Sequence, residues 1–180
     1  MLVAKKKRKE NIAEYILYLY QIEDLIRAFK LDMDLIEQRL VAAYDANDTT
    51  KQEITEWYRN LVTMMEKEEK RDSGHLQFLT NLINELNEFH LKLLQTGVNE
   101  MYSSIYKAVA GLINELKQKN PTTTTNDVEV AIDAIYGYLL LKIQKKPVTE
   151  ETQEAIKRLS QWLGHLSNLY KEFENGDLEF

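Results

Sequence analysis

The sequence predicts an all-α fold, a single-domain bundle of six or seven antiparallel helices. Three observations support this. Apolar residues recur at three- and four-residue spacing along most of the chain, which places them on one side of a helix. No useful stretch alternates with the period of two that marks a strand. Only 6 Gly and 2 Pro occur in 180 residues, too few for a turn-rich β fold.

The first three helices are predicted from their apolar faces and caps. Residues 6–29 are apolar on most sides, which favours a central position. Residues 33–44 form a second stripe, with Asp32 as the N-cap. Thr50 begins the third helix, and Glu53 completes a capping-box pattern.

Gly97 separates the fourth and fifth predicted helices. The fourth spans residues 73–96, and Gly97 fits the left-handed conformation that ends many helices. The fifth spans residues 98–119 and stops before Pro121, because the residue before a proline avoids helical angles. If Gly97 only kinks one long helix, the count falls to six.

The last two helices have clear start signals. Asn126 caps the sixth, with Glu129 three residues later, and the helix ends just before Pro147. Thr149 caps the seventh, which ends at Asn175. Short loops favour antiparallel neighbours, so we expect one domain over residues 1–180, with a basic tail at 1–6 and a frayed tail at 175–180.

The composition excludes several classes of function. There is no Cys, so thiolate catalysis, Fe–S clusters and cysteine zinc sites are excluded. The net charge of −6 argues against general duplex binding, so a nucleic-acid partner is not expected. No apolar run reaches the roughly 20 residues needed for a membrane span, and we expect a cytoplasmic protein.

We also expect no metal and no cofactor. The three His residues lack the Glu-x-x-His and His-x-x-x-His spacings of helical metal sites. No glycine-rich phosphate loop or nucleophile elbow is present.

A basic cluster at Lys5–Lys9 is the local exception to the acidic balance. It has the charge to contact phosphate, an anionic membrane surface or an acidic partner. The alternative is a mobile, solvated tail that keeps the chain soluble.

Two polar residues fall on apolar helix faces. His90 lies between Leu86 and Leu94 on the fourth helix, and Glu23 lies on the apolar side of the first. A buried carboxylate is costly unless it is paired, so the two form a candidate buried polar pair and a candidate site. The alternative is a structural pair that fixes helix register, or two unrelated groups at the rim.

Arg158 and His165 lie on the same side of the last helix. An Arg followed by a His after four to six residues resembles the pattern of HEPN-type all-α ribonucleases. The resemblance stops at that spacing, and the alternative is a solvated Arg and His beside the core.

The back faces of two helices carry small residues. A Gly in a solvated helix lowers helix stability by about 1 kcal/mol relative to Ala, so its presence there suggests a packing role. A second helix layer or a homodimer surface would explain the pattern. The alternative is that an exposed helix surface simply tolerates these small residues. The candidate interface residues are Ser104, Ala108 and Gly111 on the fifth helix, Leu140 and Leu141 on the sixth, and Ser160, Gly164 and Ser167 on the last.

Two stretches carry a resemblance to a known family. Residues 7–18 and 21–27, with residues 162–164 and 166–167, resemble an uncharacterised family of all-α proteins from Bacteroidetes. The resemblance implies a one-domain helical fold and no known activity. It also marks four residues for mutation, namely Glu10, Asn11, Glu23 and Asp24.

The sequence does not identify a function, and it leaves two main classes open. The first is a non-enzymatic interaction or scaffold protein that acts as a homodimer. The second is an enzyme or small-molecule binder with a polar site around Glu23 and His90. A HEPN-like ribonuclease is a third, more distant class.

Overall fold

The backbone of the computed structural model, which describes residues 2–119 and 126–180, is helical and contains no strand in these two ranges. The predicted stop at Asn120–Pro121 and the polar linker after it lie outside them. The helices are α1 (Leu2–Glu10), α2 (Ile12–Ala28), α3 (Met33–Ile36), a π-helical turn (Glu37–Val41), α4 (Asp48–Lys67), α5 (Gln77–Thr96), α6 (Glu100–Lys119), α7 (Asp127–Ile143) and α8 (Glu150–Asn175).

The first predicted helix is divided at Asn11. The backbone of Asn11 is extended, and its side chain accepts a hydrogen bond from the Glu14 N–H at 3.0 Å, so Asn11 caps α2. Of the expected tail, residues 2–6 are instead part of α1, and Met1 lies outside the described residues. Contacts that hold α1 in place include the burial of Ala4 and an ion pair of 2.7 Å between Arg8 and Glu174 of α8.

Other predicted helix ends are confirmed or shifted. Asp32 caps α3 by accepting from Asp34 N and Leu35 N. Gly97 has a φ of +64° and ends α5, so a break and not a kink separates α5 from α6. The helix predicted from Ser73 begins four residues later, at Gln77.

The buried apolar side chains form one cluster, to which all of the longer helices contribute. α2 lies against α7 and α8, and α8 also contacts α6. Ile16 and Ile26 of α2 are fully buried, and so is Trp162 of α8. The core therefore extends along α2 and α8. The buried polar side chains within or beside it include Glu23 of α2 and His90 of α5.

The C-terminal residues pack back onto the helices, where a frayed tail was expected. Gly176, with a φ of +80°, turns the chain at the end of α8. The ring of Phe180 then lies 5.5 Å from those of Phe89 and Phe173, and Lys92 lies over its face. These ring contacts hold the C-terminal residues against α5 and α8, although Phe180 remains 39% exposed. Over the described ranges, none of the helices has the length and apolar character needed to cross a bilayer.

Candidate functional site

Glu23 and His90 are both buried, with exposed fractions of 1% and 0%, but they have different partners. Glu23 binds His75 and the backbone of Leu76. His90 binds Tyr102. The two predicted residues therefore belong to two separate polar clusters, which we call the Glu23 cluster and the His90 cluster.

The Glu23 cluster joins α2 to the segment between α4 and α5. Glu23 Oε2 lies 2.6 Å from His75 Nδ1, and Oε1 accepts a hydrogen bond of 2.9 Å from Leu76 N. Leu76 is the buried N-cap residue of α5, and it has no polar side chain to accept from the N–H groups of the first helical turn. Glu23 supplies an acceptor from a neighbouring helix at this point, which explains why α5 begins at Gln77.

The imidazole of His75 packs against Tyr20 on one face and is partly exposed to solvent. Its ring stacks on Tyr20 with centroids 3.4 Å apart and planes inclined by 6°. Its side chain is 30% exposed, against 2% for Glu23. Because a carboxylate accepts, Nδ1 carries the proton, and Nε2 of the neutral ring has a free lone pair. Within the described part of the chain, nothing hydrogen-bonds to Nε2.

A second set of bonds holds the same segment. Arg27 of α2 donates to the carbonyl oxygens of Lys70, at 3.2 Å, and Gly74. Its guanidinium also pairs with Asp24 at 2.9 Å, and Asp24 accepts from the Tyr136 hydroxyl at 2.5 Å. The backbone before His75 is therefore fixed from α2, which fixes the imidazole relative to α7 as well.

One carboxyl beside this cluster has a shifted pKa. Burial, with repulsion from Glu129, raises the pKa of Asp133 to about 6, and attraction to His75 opposes the rise. A carboxyl with a raised pKa thus lies within electrostatic reach of His75. This combination is suited to proton exchange with a bound polar molecule. Residues 2–119 and 126–180 include no group of three or more His, Cys, Asp and Glu arranged to hold a metal ion.

The His90 cluster is a chain of donors and acceptors within the core. Trp162 Nε1 can only donate, and it does so to the Tyr102 hydroxyl oxygen at 3.1 Å. The Tyr102 hydroxyl proton then goes to His90 Nδ1 at 2.6 Å. The neutral ring must therefore carry its proton on Nε2. That nitrogen lies 3.7 Å from Asp127 Oδ2, an electrostatic contact too long for a hydrogen bond.

Asp127 completes the His90 cluster at the start of α7. It accepts from the Tyr106 hydroxyl and from Lys117. Burial opposes its charge, but the groups around it, His90, Lys117 and Tyr106, prevail and lower its pKa. A buried ring with no exposed edge is typical of a structural network, so we assign this cluster to stability.

The candidate interface residues do not share one surface. Arg158 of α8 donates to the carbonyl oxygen of Ala108 on α6. Ser160, two residues further and on the opposite side of α8, lines a groove with Leu17 of α2 and Leu139 of α7. Ser167 is buried, and its hydroxyl accepts from Ala13 N within the same chain. Ser160 and Ser167 of α8 therefore have different surroundings, and Ser167 is not exposed to a second chain.

The remaining interface residues are at least partly exposed. Ser104 and Gly111 are exposed, and Gly164, Leu140 and Leu141 are half-buried. A Cβ added at Gly111 or Gly164 would meet nothing within 4 Å, so contacts within the described chain do not require glycine there.

The other predicted residues have ordinary roles or none that the structure assigns. Glu10 is exposed and 4.0 Å from Lys6, and Asn11 is a helix cap. Arg158 binds the α6 backbone, while His165 is half-buried on the same helix. The ribonuclease hypothesis stays a prediction.

Sequence reasoning missed His75, the partner of Glu23. His75 follows a charged run and Gly74, where no apolar stripe draws attention to it. The only available signal was the unpaired carboxylate of Glu23, which required some partner. Asp127 was missed for a similar reason, because it reads as an ordinary acidic residue in the first turn of a helix.

Comparison with known proteins places the chain in a family. The family described as "Domain of unknown function (DUF4924)" matches residues 1–177. No curated protein and no solved structure matches the chain. The resemblance to an uncharacterised family, noted from the two ends of the sequence, is thus supported over nearly the whole length. The chain belongs to the DUF4924 family.

Proposed function

We propose that this chain is a helical small-molecule binder whose site is the Glu23 cluster, with His75 Nε2 as the proton acceptor. The observation that carries the proposal is the 2.6 Å contact between a buried Glu23 and a partly exposed His75. A buried carboxylate that orients an imidazole is a common arrangement in acid–base sites. The class of ligand that fits is a small polar molecule with a hydroxyl or ammonium donor.

The negative charge of Glu23 supports a binding site at His75 over a purely structural role for the cluster. Burying a carboxylate is costly, and a neutral Gln would supply the same acceptor to Leu76 N. A Gln in that position would use its oxygen for Leu76 and present its NH₂ to His75. Nδ1 would then have to accept, and Nε2 would carry the proton. The carboxylate is thus the form that keeps Nε2 free.

Carbethoxylation with diethylpyrocarbonate tests the free lone pair, because this reagent attacks unprotonated imidazole nitrogen. We expect His75 to react and buried His90 to be protected in the folded protein. Glu23→Gln should slow the reaction of His75 by about tenfold, since it reverses the tautomer. His165 on α8 is the internal control, and its rate should not change. An equal His75 rate in wild type and Glu23→Gln would overturn the proposal.

Binding itself is tested by NMR with ethanolamine and 1,2-propanediol as minimal donor probes. We expect the Cε1–H resonance of His75 to shift on titration while that of His165 stays fixed. His75→Gln should abolish the other shifts around the cluster. Shifts that survive in His75→Gln, or none at high millimolar probe, would contradict the proposal.

A homodimeric interaction role is the second candidate. It is favoured by the open space around Gly111 and Gly164, since a solvated helical glycine costs stability without a packing benefit. We further infer an antiparallel helix order from the short connections, a cytoplasmic location compatible with a chain that lacks Cys, and a Bacteroidetes origin from the sequence resemblance.

A further inference from the structure

A basic groove lies between α1, α2 and α4, and it shares no residue with the Glu23 cluster. The groove has a volume of about 580 Å³, within the range of small-molecule sites. It is lined by Ala4, Lys5, Lys6, Arg8, Lys9, Tyr15 and Trp57.

The free charge of this basic groove is concentrated on exposed lysines. Arg8 is committed to Glu174 through two hydrogen bonds of 2.7 and 2.8 Å, so it forms a fixed part of the wall. Lys6 lies 4.0 Å from Glu10, a loose and solvated contact. Lys5 and Lys9 are exposed and have no acidic partner in the described part of the chain. Their ammonium groups are available to an anion.

Two aromatic side chains supply the other part of the basic groove. Trp57 is half-buried, and its ring packs edge-on against Tyr58 with centroids 5.0 Å apart, which fixes its orientation. Tyr15 is half-buried, and burial raises the pKa of its hydroxyl although Arg8 opposes the rise. Tyr15 therefore stays neutral. Rigid aromatic rings beside free lysines suit a ligand with a flat ring and a negative group.

We propose that the basic groove binds a free nucleotide, with its base against Trp57 or Tyr15 and its phosphate at Lys5 and Lys9. The groove is bounded by the nine residues of α1, which suits a single nucleotide better than a strand. The net charge of −6 also disfavours a long polyanion, which would extend over acidic surface. Because the positive charge is confined to this groove, a small anionic ligand fits it better than a long one.

Tryptophan fluorescence gives a direct test, because the chain has only 2 Trp and Trp162 is fully buried. AMP and ADP should quench the Trp57 emission saturably, with a Kd between about 1 μM and 1 mM. Adenosine and inorganic phosphate should each bind at least about tenfold more weakly, since each lacks one half of the interaction. Trp57→Phe should remove the signal, and NMR titration of that variant should still detect the phosphate end at the lysines.

Charge reversal supplies the matched control. Lys5→Glu with Lys9→Glu should weaken AMP binding by about tenfold or more, and Lys107→Glu with Lys146→Glu, exposed lysines outside the groove, should leave it unchanged. Circular dichroism checks that both variants fold. Equal weakening by both pairs, no saturable quenching by AMP, or tighter binding of an oligouridine strand than of AMP would overturn the proposal.

Discussion

Glu23 Oε2 lies 2.6 Å from His75 Nδ1, and this contact joins residues that are 52 positions apart in the chain. The same carboxylate accepts from Leu76 N, so one buried side chain both orients an imidazole and satisfies the start of α5. The two roles separate on substitution, because the backbone needs only an acceptor while the imidazole needs an anionic one. The stability and the reactivity of this site should therefore respond differently to Gln and to Leu.

We expect Glu23→Leu to lower the free energy of unfolding by about 1–3 kcal/mol, because it leaves Leu76 N and His75 Nδ1 without an acceptor. Glu23→Gln should cost less, since its oxygen still accepts from Leu76. Urea unfolding of both variants measures the difference. Glu10→Gln, at an exposed position, is the control and should change little. Equal losses for Gln and Leu would contradict the separation of roles.

Asp133 should make stability depend on pH. Its pKa is raised from 3.8 to about 6 by burial and by Glu129, so the folded state holds the proton more tightly than the unfolded state. Stability should therefore fall as the pH rises from about 4 to about 6 and then level off. Asp133→Asn should remove this fall and stabilise the protein at pH 7 by about 2 kcal/mol. Thermal unfolding across this pH range measures the fall, and an Asp133→Asn variant with the same pH dependence as wild type would show that the carboxyl is not desolvated.

Helix periodicity and capping rules predicted most of the fold, because they act within a few residues of sequence. Asp32, Gly97, Asn126 and Thr149 end or begin helices as their residue types indicate. The same rules did not find the break at Asn11, since the charged residues 5–10 before it show no apolar stripe that would mark a separate helix. They also could not pair Glu23 with His75, because that contact depends on how α2 packs against a segment without periodic pattern. The burial of Glu23 could be predicted from the sequence, but the identity of its hydrogen-bond partner could not.

The His90 cluster should behave as one energetic unit. His90→Leu leaves the buried Tyr102 hydroxyl proton without an acceptor, and Tyr102→Phe leaves His90 Nδ1 and Trp162 Nε1 without partners. Each change should cost about 1–3 kcal/mol, and the double variant should cost less than the sum by about 1 kcal/mol or more. Urea unfolding of the four proteins gives the coupling. Additive losses, or a His90→Leu variant more stable than wild type, would argue against a structural network.

Arg158 has a structural contact that predicts a modest effect. Arg158→Ala removes the hydrogen bond to the Ala108 carbonyl, which lies at the surface, so we expect a loss below about 1 kcal/mol. Any ribonuclease activity on single-stranded RNA should be absent from wild type and variant alike if the Glu23 cluster is the functional site. An activity that wild type has and Arg158→Ala and His165→Ala both lack would instead support the HEPN-like hypothesis.

Gly164 distinguishes a tolerated surface position from a dimer contact. A Cβ there would meet nothing within 4 Å in the chain, so Gly164→Ala should raise the free energy of unfolding by about 0.5–1 kcal/mol through helix propensity alone. If a second chain packs against α8 at this point, Gly164→Leu should separate the dimer because the larger side chain blocks close approach. Light scattering of wild type, Gly164→Leu and Gly111→Leu measures the mass directly. A monomeric wild type would exclude the dimer, and a dimer unaffected by either Leu variant would move its interface away from these two helices.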